Sequence, residues 1–421
     1  MISFFLLFAL GASAAPAWHT TLSSALEEAK SSGKPVLMDF QAPWCYSCYY
    51  MEKHVLEGAA FSKNAERVVL LKLDVDTQEG RLLREKFKIP GLPGYLVVSA
   101  KQEALGRIVG EQTEDDFVKQ LDAILGGSST DPAERAVVSL QKRLNDGELD
   151  KAAADIRGLK AAERKALESR ADWRVLSARL ELYRAVARDS AGAVEPLKTS
   201  LALDDSCAAA EDVKTAADIV DKQKPAARKD LLELERTSLE KLAAARLFVP
   251  ADKRCADFRS GVEILADVYE KLGLKDQRAD LFKKTLAFLD QQGLKPGEDR
   301  NFDDNKREFL DLAGDEQGLR EFYPALIAAY PADYVYAARW ARWLQEHGKS
   351  REALAFSDAA DKLAYGANRL AVTRVRALIL ADLGRKPEAL ALLARDSKAG
   401  RKAFSKEAAA LDALAGQLSK R

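Results

Sequence analysis

Two regimes of hydrophobic patterning divide the chain. Up to about residue 126, short apolar runs of strand length alternate with stretches of helical composition. Leu22 to Ser31 (LSSALEEAKS) predicts a helix. After Gly33, the run PVLMDFQA is short, apolar and β-rich, which suits a buried strand. Cys48 to Gly58 predicts a helix, Val68 to Val75 (VVLLKLDV) a second buried strand, and Arg81 to Phe87 another helix. Tyr95 to Ser99 and Ala104 to Val109 read as a strand pair about a turn near Lys101–Gln102, and Thr113 to Leu125 closes the unit as a helix. The order βαβαββα after an initial helix predicts an α/β sandwich over residues 16–126.

The pattern then changes. Gly126-Gly127-Ser128-Ser129-Thr130-Asp131-Pro132 is rich in Gly, Ser and Pro, so residues 127–132 are expected to link two domains, with the next helix starting at Pro132. From 133 to 421 the chain is rich in Ala, Leu, Lys and Glu, offers no convincing strand, and breaks at turns such as Asn145–Gly147, Lys295–Gly297 and Tyr330–Asp333. EHGKSREAL (Glu346 to Leu354) and DLGRKPEAL (Asp382 to Leu390) each place an Ala, Ala353 or Ala389, five residues after Gly348 or Gly384. Gly147 with Ala152 repeats the spacing, and Gly273 with Ala279 is a looser copy. A Gly turn between helices, followed by a small residue where they touch, is the logic of tetratricopeptide repeats. This all-α region resembles that family, most clearly over 333–400. The alternative is an irregular helical bundle.

Length agrees with a multidomain reading, since 421 residues exceed what one core accommodates. Lys+Arg and Asp+Glu are equal at 65 each, so the bulk charge gives no support to a nucleic-acid or anionic-membrane partner. Met1 to Leu10 (MISFFLLFAL), then GASAA and Pro16, reads as a signal peptide over 1–15. Export is expected, and no later run is apolar enough for stable membrane insertion. The C-terminal Leu418-Ser419-Lys420-Arg421 is not an ER-retention tetrapeptide, which favours a bacterial periplasm as destination. In such an oxidising compartment the four cysteines, Cys45, Cys48, Cys207 and Cys255, allow two disulfides.

Gln41-Ala42-Pro43-Trp44-Cys45-Tyr46-Ser47-Cys48 lies between the first buried strand and a helix. A Cys at a helix N-terminus faces unpaired N–H groups and the positive end of the helix dipole. Both favour the thiolate, which is the attacking species. Cys45 is the candidate nucleophile, and Cys48, one turn on, the candidate resolving thiol.

The stretch from about Leu22 to Leu125 resembles the thioredoxin family, on the WCxxC signature, Asp39 six residues before Cys45, and Gly91-Leu92-Pro93. Its nearest likeness is the periplasmic C-terminal domain of the transmembrane thiol:disulfide interchange proteins, which share the Gly-Leu-Pro loop and an acidic residue four after the second Cys, here Glu52. The resemblance implies a thioredoxin-like fold, a cis Pro93 beside the cysteines, and substrate contacts from Trp44, Leu92 and Pro93. It also makes Asp39 and Glu52 a candidate acid–base pair for the proton of Cys48. Tyr46 and Ser47 between the cysteines, and Gly94 after the proline, depart from the commoner family pattern.

The expected function is a thiol–disulfide oxidoreductase working on protein disulfides or thiols with a thiol–disulfide electron donor or acceptor. Two carboxylates near the pair disfavour added negative charge, which favours the reducing direction. The alternatives are an oxidase or isomerase, or a repeat-based scaffold using the first domain for docking. The helical repeats are expected to hold a protein partner. No motif implies a diffusible cofactor, and the three histidines, His19, His54 and His347, are too scattered for a metal cluster. Cys207 and Cys255 are expected to form a structural disulfide, the alternative being two separate buried thiols. Tyr336, Trp340 and Trp343 share one face of a predicted helix, where packing explains them better than a ligand.

Overall fold

The computed structural model describes residues 17–126, 131–188, 190–203, 212, 225–251 and 253–420. The expected signal segment 1–15, linker residues 127–130 and Cys207 lie outside the described residues.

The first domain is an α/β sandwich built on five strands: β1 Trp18–His19, β2 Val36–Gln41, β3 Val69–Asp74, β4 Gly94–Val98 and β5 Ala104–Val109. Their order is β1-β3-β2-β4-β5, with β3 parallel to β1 and β2, and β4 antiparallel to β2 and β5. Central β2 is buried on both faces, which is why it reads as a continuous apolar run. Met38 and Phe40 pack with Ala25 and Ala29 of α1 (Leu22–Ser32) and with Leu83 of α4 (Gln78–Lys86). Leu37 points the other way, into a core with Met51, Phe61 of α3 (Ala59–Ala65) and Phe117 of α5 (Glu114–Ile124). Tyr95 and Phe117 meet there edge to face at 4.8 Å.

The helix expected over 48–58 has a different form. It is α-helical over Tyr46–Met51 (α2), then continues as a π-turn over Glu52–Leu56. β1 and α3 have no counterpart in the pattern reading, since two residues of strand and a helix of seven residues are too short to carry a periodic signal.

Beyond Asp131 the described residues contain fifteen α-helices and no strand. The next helix starts at Pro132, as expected, and the Asp131 side chain caps it. Gly147, Gly273, Gly348 and Gly384 all end helices in the left-handed region, at φ of 69°, 75°, 72° and 76°. Ala152, Ala353 and Ala389 are buried where paired helices touch, whereas Ala279 is exposed, so the looser copy keeps the turn and lacks the contact. Tyr336, Trp340 and Trp343 are buried on one face of the Val335–Glu346 helix, with Trp340 stacked on Tyr323 at 4.7 Å. Cys255 is buried and disulfide-bonded.

The helical region meets the α/β domain at points spread along its whole length. Arg107 pairs with Asp146 at 3.1 Å near its start. Arg81 makes a two-pronged contact with Glu407 near its end, at 3.0 and 2.8 Å. Between them, α2 packs against the Arg300–Leu312 helix.

Candidate redox site

Strand β2 delivers the chain to Ala42, and α2 starts four residues later with Cys45 as its N-cap in extended conformation. Cys45 and Cys48 are joined by a disulfide with Cα atoms 5.2 Å apart. The Cys48 N–H donates to Cys45 Sγ at 3.1 Å, so a sulfur at position 45 faces one of the free amides of the helix start. The Leu92–Pro93 peptide is cis, and Leu92 packs against the cluster that holds both cysteines. Trp44 remains partly exposed while its indole Nε1 donates to Asp76 Oδ2 at 2.7 Å.

Asp39 lies one residue before Phe40 in β2 and is 3% exposed, with Oδ1 lacking a hydrogen-bond partner. Burial pushes its carboxyl up to about 7; Lys72 opposes the shift and Glu52 adds to it. Glu52 sits at the start of the π-turn, half exposed, with Oε1 on Lys72 Nζ at 2.7 Å. The structure thus brings Asp39, Glu52 and Lys72 within electrostatic reach of each other. Asp39 is the buried member and Glu52 the solvated one.

Several residues at the site gave no signal in the sequence. Glu111, just after β5, has a buried Oε2 without a partner, and Ser47 lies close enough to oppose the shift of its carboxyl. Burial, reinforced by Asp257, raises Glu111 well above the usual carboxylate range. The rest come from the helical region. Asn301 Nδ2 donates to the Tyr46 carbonyl at 2.9 Å, and Arg339 donates to the Trp44 carbonyl at 2.9 Å. Tyr46 places its hydroxyl 3.1 Å from Ser260 Oγ and its ring 4.2 Å from the Arg259 guanidinium. The Arg300 guanidinium lies 4.3 Å from the Tyr49 ring, and His54 Nε2 is 2.8 Å from Asp299 Oδ2. The tyrosines beside the cysteines therefore cover a face of the chain's own making.

Asp304 organises this contact. It is fully buried and pairs with Arg259 at 3.0 Å, Arg307 at 3.2 Å and Arg339. Burial opposes its charge, but the three guanidinium groups outweigh it and hold the carboxyl well below its ordinary range. Among the described residues no group of His, Cys, Asp or Glu could hold a metal ion.

Fold and site together define a thioredoxin-like domain with an oxidised CxxC pair at the start of its second helix. A family model described as Thioredoxin-like matches residues 17–100. The chain is 33% identical over 89 residues to a thioredoxin H-type of Fagopyrum esculentum, which is 21% of this chain and 72% of that one. It is 36% identical over 103 residues to the thiol:disulfide interchange protein DsbD of Pseudomonas fluorescens, covering 24% of this chain and 18% of that protein. Among solved structures, the solution structure of a thioredoxin from Thermus thermophilus aligns with 27% of this chain and 91% of its own, at 28% identity and a TM-score of 0.26. The chain belongs to the thioredoxin-like family. It spans less than a fifth of the length of the interchange proteins it matches.

Proposed function

We propose that this chain is an exported thiol–disulfide oxidoreductase of the periplasm that reduces disulfides in proteins. The observation that carries the reading is the Cys45–Cys48 bond at the start of α2, with Cys45 Sγ accepting the Cys48 amide. In the reduced state the Cys45 thiolate attacks a substrate disulfide. One substrate sulfur leaves as a thiolate and takes a proton from solvent, while the other bonds to Cys45. Asp39 accepts the Cys48 proton, a role that suits a carboxyl poised near 7. Cys48 then attacks Cys45 Sγ, releases the second substrate thiolate and closes the disulfide. Two electrons pass to the substrate, and an external dithiol must return them. Glu52, paired with Lys72, acts on this chemistry through the charge of Asp39. Trp44, Leu92 and Pro93 contact the substrate.

The repeats enter the proposal in a narrower form than the sequence suggests. Part of the array is occupied by its own redox domain, so a protein partner meets its remaining faces. One observation favours oxidation as a second reading: Arg259 and Arg339 lie beside the residues flanking Cys45, and cations stabilise a thiolate.

The test uses reduced protein and hydroxyethyl disulfide. Wild type should turn it over, and Cys48→Ser should accumulate a mixed disulfide at Cys45 visible by mass. A Cys45→Ser protein that reduces the compound as fast as wild type would sink the proposal.

A further inference from the structure

A dithiol can act only on what reaches it, and here the route to Cys45 is built by both halves of the chain. On one side the site is closed. Asn301 and Arg339 hold the carbonyls on either side of Cys45, Arg259 lies against Tyr46, and Cys45 itself is 5% exposed. On the other side, the redox domain opens on one cavity of about 1530 Å³ with Trp44–Ser47, Gly91–Leu92, Gly110–Gln112 and one face of α5. The helical region supplies the rest of the wall, including Arg254, Asp257, Ile264 and Ser260, the last in contact with Tyr46.

Two magnitudes narrow what this cavity accepts. Sites for small molecules occupy about 300–1,000 Å³, so this one holds more than a small disulfide. A folded partner buries about 800 Å² of each surface, on a face it approaches as a rigid body. That face is roofed here by the chain's own helices. An extended segment, at about 3.3 Å per residue, threads such a space and presents its sulfur one side chain at a time.

We propose that the helical region roofs the redox pair and makes extended, unfolded polypeptide segments its substrates, to the exclusion of folded proteins. The inference rests on the oxidoreductase reading above. Cys45 takes the substrate sulfur at the cavity floor, by the exchange steps already given. The mixed walls, with Arg254 and Lys253 against Asp115, Asp116 and Asp257, suit a backbone-led contact rather than one charge class of peptide.

The test compares reduction rates by the intact chain for hydroxyethyl disulfide, a disulfide-linked peptide of a dozen residues, and a stable folded protein displaying that same segment on its surface. The expected result is turnover of the first two, and a rate on the folded protein at least 100-fold below that on the peptide. Asp304→Asn, which loosens the roof, should raise the rate on the folded protein at least tenfold. Comparable native rates on peptide and folded protein would overturn the inference and leave the oxidoreductase reading standing. Turnover of hydroxyethyl disulfide without the peptide would overturn it too. No turnover of any of the three would remove the oxidoreductase reading, and this inference with it.

Discussion

The Arg339 guanidinium donates a 2.9 Å hydrogen bond to the carbonyl of Trp44, joining residues 295 positions apart at the residue before Cys45. Asn301 does the same for Tyr46, the residue after it. The conformation of the cysteine loop is therefore fixed from outside the domain that carries it.

Asp304 holds this contact together, so its loss should be felt across both halves. Asp304→Asn removes the carboxylate that Arg259, Arg307 and Arg339 share and leaves Glu308 as the remaining counter-charge of Arg259 and Arg307, so the cost falls at the lower end of the about 3–5 kcal/mol for breaking a buried ionic cluster. Urea unfolding at pH 7 should show that loss. Because the folded carboxyl titrates below its unfolded value, its contribution is complete above about pH 4 and fades as the pH falls further. The gap between wild type and variant should narrow below pH 4.

Asp39 has the opposite sign. Its carboxyl is raised to about 7, so the folded state holds a proton that the unfolded state has lost between about pH 4 and 7. Stability from this group therefore falls across that window. Asp39→Asn should stabilise the oxidised protein at pH 8 by roughly 4 kcal/mol and change it little at pH 4. The same variant should slow disulfide exchange about 100-fold at pH 8 and erase an inflection near pH 7 in the rate profile. An unchanged profile would remove Asp39 from the mechanism.

Gly366 opens the helix that meets the loop after β3. Its φ is +55°, and a Cβ there would lie 2.0 Å from the Asp76 carbonyl oxygen. The next amide, Ala367 N–H, donates to that same oxygen at 3.1 Å. Gly366→Ala combines a left-handed backbone with a clash against main chain, at about 2–4 kcal/mol. Asp76 also accepts the Trp44 indole, so the variant should blue- or red-shift tryptophan emission as well as lower the urea midpoint. Unaltered values of both would mean that the helical region does not hold this loop.

Much of the first domain was legible because strand burial and helix patterning obey different periods. Val36 to Gln41 and Ala104 to Val109 fall where the apolar runs put them, and the Trp-Cys-x-x-Cys stretch announces its chemistry by spacing. The contact between domains was not legible. Asn301, Asp303, Asp304, Asn305 and Arg307 are all buried in one helix, yet a polar run of that kind has the composition of a solvated face. Only their partners explain them, and those partners lie tens to hundreds of residues away: Arg259 and Arg339 on Asp304, Tyr46 on Asn301. Glu111 follows the same rule, since its setting is created by Ser47 on one side and Asp257 on the other.

The central claim is that Cys45–Cys48 is a working redox couple poised to donate electrons. The most direct measurement is its equilibrium with glutathione in the intact chain, read by the alkylation of Cys45 and Cys48. The account predicts a two-electron couple at about −230 mV or lower, in the range of reductants such as thioredoxin. A pair poised at about −120 to −180 mV would contradict the direction, and one that never exchanges with glutathione would contradict the claim itself.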